Sequence, residues 1–274
     1  MGILVIWKAS IFEALGSMIL IWIIGVASLV FTLEGPIGVA SGLAFLYGTA
    51  VTIIMYSLKP ITGAHINPII TLSQLAIGNT SLFRSLSYIL AQMLGAITGG
   101  GLVAAALGKH ASDLANGGCA IDEKSGFTTG QAFALEFMAA LVLLTFAQGT
   151  VHSLRPNGTQ SVYLSPVLYG LSVGLICFCT SGFAPHAGYI GAYGFPNICF
   201  GLSFGILKFQ SIHWVFWIPG FCAVILHGIL YRFLNPYENS DSMDELNVHT
   251  TRMPSWGLRR SRHNPVTSIN TNLA

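Results

Sequence analysis

Charged residues are scarce in this sequence, since Asp, Glu, Lys and Arg make up only 8% of its 274 residues. A soluble domain carries about 25% of such residues. Hydrophobic residues make up 53% of the chain. A soluble globular protein is therefore excluded, and a polytopic membrane protein is predicted. The net charge of +2 is too small to indicate a nucleic-acid partner.

Cysteine is also sparse, and the motifs of enzymes are missing. The five cysteines are an odd number without paired spacing, which argues against a disulfide framework. The sequence contains no phosphate-binding loop, no cluster of metal ligands and no nucleophile–base arrangement. We therefore predict no enzymatic activity, no cofactor and no bound metal.

Six apolar stretches are long enough to cross a bilayer, whose hydrocarbon core of about 30 Å requires about 20 helical residues. We place them near residues 10–31, 37–58, 82–107, 130–151, 162–183 and 212–233. Helices are predicted rather than strands, because each backbone polar group in lipid must be satisfied within its own segment. The sequence thus predicts an all-α membrane protein.

The distribution of lysine and arginine predicts the orientation in the membrane. With both termini in the cytoplasm, most of these residues lie on the cytoplasmic side: Lys8, Lys59, Arg84, Arg155, Arg232, Arg252, Arg259, Arg260 and Arg262. Only Lys109, Lys124 and Lys208 then lie outside. We predict cytoplasmic N- and C-termini, in the plasma membrane rather than an internal membrane.

The chain divides into a membrane domain, residues 1–234, and a tail, residues 235–274. The tail is rich in Ser, Thr, Asn and Arg and lacks an apolar run, which predicts a flexible cytoplasmic segment. The alternative is a regulatory tail, with Arg259-Arg260-Ser261 as a basic phosphorylation-type site.

The two halves of the membrane domain show the same order of features. Glu13, in the first span, lies 54 residues before Asn67, and Glu136, in the fourth, lies 59 residues before Phe195. Asn67 and Phe195 each open a short proline-containing segment. An odd number of spans in each half inverts one half relative to the other. We therefore predict inverted repeats of about 8–108 and 127–234.

Polar and turn-forming residues at membrane depth mark the first of these segments, ITGAHINPII at residues 61–70. Non-helical backbone is tolerated there only where it lines a cavity or is packed in protein. Asn67 is a good N-cap and Pro68 a good first helical residue. The pair predicts a half-helix of about ten residues with its positive end at the membrane centre. A second half-helix, beginning near Pro196, would meet it there, and two such ends favour dipolar neutral solutes over cations.

The sequence resembles the major intrinsic protein family of aquaporins and aquaglyceroporins. The matching stretches are SGLAFLYG, TGAHINP, YILAQMLGA, YGLSVGL and HWVFWIPGFCAVILHGILYRF, which cover roughly residues 8 to 236. The resemblance implies six membrane helices, two re-entrant half-helices, one pore in each protomer and a homotetramer. It also implies passive conduction of small neutral solutes.

Both pore boxes depart from the family pattern. The first box consists of Asn67, Pro68 and Ile69. The family has alanine at the third position, so the isoleucine is a mild change. The second box is expected to be Asn-Pro-Ala-Arg but consists of Phe195, Pro196, Asn197 and Ile198. One amide donor and the arginine are therefore missing. Asn197 does not simply replace the amide, because a shift of two residues turns its side chain about 200° around the helix.

The register of the resemblance also implies a less polar selectivity filter. Its ring is formed by Tyr47, Cys177, Ala192 and Ile198, which together carry one hydroxyl and no charge. We expect a less polar mouth that can be wider than usual, for solutes such as glycerol, hydrogen peroxide or urea rather than fast water flux. One alternative is that Phe195 plugs the centre and the fold has a structural or junctional role. A second alternative is an ion-coupled transporter.

Buried polar residues are expected to support the half-helices. The resemblance implies that Glu13 and Glu136 accept hydrogen bonds from backbone N–H groups of the half-helix segments. A proton relay is the other interpretation of a carboxyl group inside a span. Gln92 is expected to have a similar polar packing role. The many glycines, as in Gly99-Gly100-Gly101, predict close helix packing.

Two histidines and two cysteines are further candidates. His65 could gate the inner vestibule by protonation near pH 6 or form a plain loop hydrogen bond. His186 could be a pH-sensitive lid or a solvated bystander. Cys119 could form an intersubunit disulfide, bind a metal or stay a free thiol, while Cys199 is the candidate for mercurial block. The stretch NGGCAI around Cys119, together with Cys199, is similar to the X intrinsic proteins of fungi and plants.

Overall fold

The computed structural model describes residues 2–32, 36–108, 119–121, 124, 126–149, 159–181, 189 and 191–234, without the side chains of residues 29–32, 36–39 and 159–163. His186, Arg155 and the tail at 235–274 lie outside the described residues. Helices account for nearly all of the described chain: α1 (Ile3–Thr32), α2 (Pro36–Thr62), α3 (Pro68–Ala76), α4 (Leu82–Leu107), α5 (Thr129–Ala147), α6 (Thr159–Thr180), α7 (Pro196–Ile206), a 3₁₀ helix (Ser211–Phe216) and α8 (Ile218–Leu234).

Five helical stretches are long and apolar enough to cross a membrane: Ile3–Ser28, Ala40–Thr62, Leu82–Leu107, Thr129–Ala147 and Ser211–Leu234. The remaining predicted span corresponds to α6, whose apolar part, Leu164–Thr180, is shorter. The two predicted half-helices are present as α3 and α7. The described residues contain no strand, only an isolated bridge between Cys119 and Tyr189. The predicted all-α membrane fold is confirmed.

Several span boundaries differ from the predicted ones by three or more residues. The first helix begins at Ile3 instead of residue 10, because the apolar run ILVIW continues it towards the N-terminus. The second helix continues through Pro60 to Thr62, beyond the predicted end at 58. Its last turn is held by tertiary hydrogen bonds, from Lys59 to Ser165 and from Thr62 to Glu13.

The two halves of the membrane unit pack in matching ways. Helix α1 packs on α4, and α5 packs on α8; helix α7 packs on α4, and α3 packs on α8. Helices α2 and α6 pack on each other. Each of these pairings therefore has a counterpart when the halves are exchanged, as an inverted repeat requires.

Hydrophobic side chains cover the outside of the bundle, and polar side chains lie within it. Phe45, Leu90 and Leu171 are exposed, whereas Glu13 and Gln92 are completely buried. This distribution is the reverse of that in a soluble helical protein, and it is the one expected of a protein surrounded by lipid.

Glycines let the helices approach closely. A Cβ atom on Gly95 would lie 2.1 Å from the carbonyl oxygen of Ala14, and one on Gly100 would lie 1.7 Å from that of Gly201. The prediction that the glycines permit close packing is confirmed at these positions. The second contact joins α4 to the half-helix α7 and so fixes the depth of the second pore box.

Candidate pore

The first box forms as its local chemistry requires. Asn67 is the N-cap of α3, and its Oδ1 accepts a hydrogen bond from the backbone N of Ile69 at 2.9 Å. Pro68 is the first helical residue. The amide Nδ2 of Asn67 donates to the carbonyl of Gly194 at 2.8 Å, so the two box segments touch at the centre of the bundle.

The second box has the same backbone position but a different cap. Pro196 is the first residue of α7, and Phe195 stands at the N-cap without a side-chain hydrogen bond. The preceding loops have the same sign of φ at two pairs of equivalent positions. Gly63 and Gly191 have φ values of 91° and 134°, and Ile66 and Gly194 have φ values of 43° and 62°. Phe195 therefore occupies the place of Asn67.

Ile66 is strained, as is Ala64, whose φ is 51°. A β-branched residue at positive φ is a genuine outlier, and such strain persists only where the surroundings hold it. Here Glu13 holds it, because the Ile66 backbone N donates to Glu13 Oε2 at 2.6 Å. The corresponding position in the second half is a glycine, Gly194, which adopts positive φ at little cost.

Glu13 accepts four hydrogen bonds, two on each oxygen. Its donors are the Thr62 hydroxyl at 2.6 Å, the His65 backbone N at 3.0 Å, the Ile66 backbone N at 2.6 Å and Gln92 Nε2 at 2.9 Å. These are the backbone contacts that the resemblance implied, and Gln92 joins them. A carboxylate that accepts four bonds from protein groups in this way supports the half-helix loop.

Glu136 accepts hydrogen bonds from its own loop in the same way, including one from the Tyr193 backbone; the two bonds described next are longer than those to Glu13. It accepts from the Tyr189 hydroxyl at 3.3 Å and from the Gly194 backbone N at 3.4 Å. Tyr189 was missed by the sequence analysis because it lies in the longer second loop, where the register is softer.

An aromatic cluster, Tyr47, Tyr193 and Phe195, fills the space outside the second box. The Phe195 ring packs edge-on against the Tyr47 ring, with ring centroids 5.6 Å apart. The Tyr193 ring also packs on the Tyr47 ring, with centroids 5.8 Å apart. The Tyr47 hydroxyl donates to the Tyr193 carbonyl at 3.4 Å. Phe195 is 1% exposed. A water-sized probe therefore has almost no access to its ring.

The residues of the predicted filter are all buried. Their exposed fractions are 2% or less, at Tyr47, Cys177, Ala192 and Ile198. In this conformation a water-sized probe has almost no access to these four residues. Tyr193, which was not part of the predicted ring, packs against Tyr47. The loop segment IGAYGFP aligns Tyr193 with His65 of TGAHINP, and this alignment is the signal that could have identified it.

The comparisons with known proteins agree with this geometry. The sequence model described as Major intrinsic protein matches residues 3–231. The chain belongs to the major intrinsic protein family. It is 32% identical to aquaporin-5 of Homo sapiens over 74% of this chain and 72% of that protein. It is 29% identical to aquaporin-1 of Homo sapiens over 89% of this chain and 88% of that one.

Its fold is similar to that of a solved aquaglyceroporin from Plasmodium falciparum. The TM-score is 0.62 with 20% sequence identity, covering 84% of this chain and 97% of that structure. As a member of the major intrinsic protein family, the chain is an integral multi-pass membrane channel protein and not an enzyme.

Asn197 takes a part in this family member that the sequence did not predict. The shift of two residues predicted that Asn197 does not simply replace the missing amide. Its Nδ2 nevertheless donates to the carbonyl of Ile66 at 3.1 Å, which is the counterpart of the bond from Asn67 to the carbonyl of Gly194. Asn67 and Asn197 therefore form two reciprocal bonds between the box segments. The Oδ1 of Asn197 is buried and has no hydrogen-bond partner.

His65 is poorly suited to act as a gate near pH 6. It lies in the loop outside the spanning helices, 4% exposed, with its Nδ1 3.2 Å from the Thr71 hydroxyl and its ring against Tyr88. These contacts and this burial favour the alternative of a plain loop hydrogen bond over gating by protonation.

The two candidate cysteines are bonded to each other. Cys119 and Cys199 form a disulfide within the chain, across 80 residues of sequence. This corrects two expectations: that Cys119 pairs between subunits, binds a metal or stays a free thiol, and that Cys199 is free for mercurial block. The described free cysteines are Cys177, Cys179 and Cys222.

Removing the carboxyl group of Glu13 is expected to destabilise the protein more than removing that of Glu136. Glu13→Ala leaves the backbone N–H groups of His65 and Ile66 without an acceptor, and each buried unsatisfied group costs about 1–3 kcal/mol. Glu136→Ala breaks longer bonds. Thermal unfolding in detergent, followed by tryptophan fluorescence, measures both. Equal losses of thermal stability in the two variants would contradict this difference.

Proposed function

We propose that this chain is a passive channel for small uncharged solutes, with slow water flux and a centre that Phe195 closes in the conformation described here. The observation that carries this proposal is the position of Phe195. It stands where the first half has Asn67, and it is buried against Tyr47. Glycerol, hydrogen peroxide and urea are the solutes proposed.

The electrostatics of the centre support neutral solutes. The N-terminal ends of α3 and α7 meet there, since Asn67 bonds the residue before Phe195. Both ends carry the positive pole of a helix dipole, which disfavours cations. The two buried carboxyl groups, Glu13 and Glu136, are engaged with loop backbone. Ion-coupled transport normally requires an ionisable group at the substrate site, so a transporter is disfavoured.

The hydrogen-bonding capacity of the centre supports slow water flux. Three loop carbonyls accept bonds from protein side chains: Ile66 from Asn197, Gly194 from Asn67, and Tyr193 from Tyr47. Phe195 contributes a ring in place of an amide. A file of water molecules would therefore find few partners to replace the bonds it loses on entering.

A closed membrane protein with a structural role is the second candidate function. The same burial of Phe195 favours it, if the ring does not move aside. We also propose, from the family and the lysine and arginine distribution, a homotetramer in the plasma membrane with both termini in the cytoplasm. Residues 235–274 would then form a cytoplasmic tail behind a membrane domain of residues 1–234.

A solute panel on purified protein tests the proposal. Proteoliposomes are mixed with gradients of glycerol, urea or water in a stopped-flow instrument, and hydrogen peroxide entry is followed with an enclosed dye. We expect solute entry without a driving ion and slow water flux. Entry that requires a proton or sodium gradient would show a transporter instead. A protein silent for each solute, both as wild type and as Phe195→Ala, would be a structural protein.

Ile198 is expected to determine which solutes pass the mouth. Ile198→Arg places a large cation where the family has its arginine, which should lower the glycerol-to-water permeability ratio at least about tenfold, a barrier difference of about 1.4 kcal/mol. Ile198→Leu, which conserves volume, is the matched control. The measurement uses the Phe195→Ala background if wild type conducts too slowly. An unchanged ratio in a folded Ile198→Arg protein would remove Ile198 from the filter.

A further inference from the structure

The two half-helices are held in different ways at equivalent positions. Thr71 lies four residues after Asn67, and its hydroxyl donates to the Asn67 carbonyl at 3.1 Å and accepts from Gln92 at 3.0 Å. Cys199 lies four residues after Phe195 and is bonded covalently to Cys119. A hydrogen-bond network in the first half is thus matched by a disulfide in the second.

The two buried carboxyl groups, Glu13 and Glu136, also differ in the lengths of the hydrogen bonds that they accept. Glu13 accepts its four bonds at 2.6–3.0 Å. The bonds to Glu136 from Tyr189 and Gly194 measure 3.3 and 3.4 Å. Hydrogen bonds weaken as they lengthen beyond about 3.2 Å. The second box loop is also held by a bond from the Ala192 backbone N to Thr180 and by one from Asn67 to the Gly194 carbonyl, both at 2.8 Å. The disulfide adds a covalent constraint that has no counterpart in the first half.

The segment 119–121, here called the strap, is itself anchored to the rest of the fold. Cys119 forms an antiparallel bridge with Tyr189, and Tyr189 stacks on Phe127 with ring centroids 5.1 Å apart. The backbone N of Ile121 donates to Gln210 Oε1 at 3.2 Å. The strap can therefore resist movement of whatever Cys119 holds.

Two connections lead from the strap to the second box. One runs through the disulfide to Cys199 in the first turns of α7, directly after Ile198. The other runs through Tyr189, whose hydroxyl donates to Glu136, which in turn accepts from the backbone N of Gly194. The first connection ends in α7, the half-helix that Phe195 caps. The second ends at Gly194, the residue before Phe195.

We propose that Cys119 and Cys199 are a positioning pair that keeps Phe195 in its closing place. This inference rests on the proposed function, in which Phe195 closes the centre. Both sulfur atoms belong to residues that are 2% exposed or less, so the pair is a structural latch and not an exposed redox sensor. Breaking it frees the start of α7, lets the Phe195 ring move away from Tyr47, and raises solute permeability.

The test compares Cys119→Ser and Cys199→Ser in two backgrounds, wild type and Phe195→Ala. In the wild-type background, urea and glycerol permeability should rise about fivefold, a change of about 1 kcal/mol in the barrier. In the Phe195→Ala background the serine variants should add nothing, because the closing ring is already gone. Cys179→Ser and Cys222→Ser, which alter free cysteines, are the matched controls and should leave permeability unchanged.

The outcomes separate the inference from the proposed function. Folded serine variants with wild-type permeability would overturn the positioning pair, as would an equal change in both backgrounds, which indicates general loosening. If Phe195→Ala itself conducts no better than wild type, the proposed closure by Phe195 is wrong, whatever the cysteine variants do.

A chemical version of the test keeps the native sequence in case the serine variants do not fold. Reconstituted wild-type protein is treated with dithiothreitol. One reductant thiolate attacks the sulfur of one cysteine, forms a mixed disulfide and releases the other cysteine as a thiolate. The second reductant thiolate then attacks the reductant sulfur of the mixed disulfide, so the reductant leaves as a cyclic disulfide and the first cysteine is released. Both cysteine thiolates take up the protons that the reductant thiols gave up. Maleimide labelling after unfolding in SDS counts the two new thiols, because both cysteines are buried in the folded protein. Permeability should rise on reduction and return after reoxidation, and constant permeability with complete reduction would overturn the inference.

Discussion

Replacing Phe195 with asparagine is expected to raise water permeability at least about tenfold, which corresponds to a barrier lowered by about 1.4 kcal/mol. The Phe195 ring is 1% exposed and its centroid lies 5.6 Å from that of Tyr47. Asparagine removes this ring. It also places an amide where the first half has Asn67, and there it can donate a hydrogen bond to a passing solute. Stopped-flow light scattering of proteoliposomes measures the effect.

Two further variants separate the contributions of volume and hydrogen bonding. Phe195→Ala only makes space, so it should raise the permeability of glycerol and urea but increase water flux less than Phe195→Asn does. Phe204→Ala is the matched control, because Phe204 lies on the same helix with an exposed side chain and should leave permeability unchanged. If folded Phe195→Asn conducts water like the wild type, Phe195 is not what closes the centre.

Local chemistry made the first box predictable. An asparagine followed by a proline combines a good N-cap with a good first helical residue, and the structure begins α3 at that place. A carboxyl group inside an apolar span needs donors, and the loop that follows the second span offers free backbone N–H groups. Glu13 therefore meets the His65 and Ile66 backbone. Five of the six predicted spans meet the criteria of length and apolarity in the structure, and the other corresponds to the shorter apolar part of α6.

The second box was harder to predict because its environment depends on distant segments. The Cys119–Cys199 disulfide closes 80 residues, and no spacing rule connects a loop cysteine to one in a half-helix. The bond from Asn197 to the Ile66 carbonyl joins two halves of the chain 131 residues apart. Tyr193 was missed because the predicted filter had only four residues. Tyr193 follows one of them, Ala192, in the loop and packs against another, Tyr47.

The contrast between the two halves has a functional consequence. The first box keeps the amide, the network around Thr71 and a carboxylate with four close donors, so it can remain rigid while solutes pass. The second box has an aromatic ring at its cap, longer bonds to Glu136 and a covalent latch. In the proposed mechanism, opening is therefore a movement of the start of α7 and of Phe195, while α3 stays in place.

Replacing Gly100 with alanine is expected to be the most damaging single change in the membrane domain. A Cβ atom there would lie 1.7 Å from the carbonyl oxygen of Gly201 on α7, and Gly201 and Gly205 have similar clashes with α4 backbone at 2.4 and 2.2 Å. Backbone atoms cannot rotate away as a side chain can. Helix α7 must therefore move away from α4, at a cost that we expect to exceed about 3 kcal/mol, above the usual range for overpacking.

The neighbouring Gly101→Ala variant is the control for this prediction. A Cβ atom on Gly101 would meet nothing within 4 Å, and alanine favours a helix over glycine by roughly 0.5–1 kcal/mol. Gly101→Ala should therefore keep or slightly raise thermal stability in detergent, while Gly100→Ala should lose most of its folded, monodisperse protein. Because the same displacement carries Phe195 and Ile198 with α7, any folded remainder of Gly100→Ala should also show altered solute permeability. Wild-type stability in Gly100→Ala would mean that α4 and α7 do not touch at this depth.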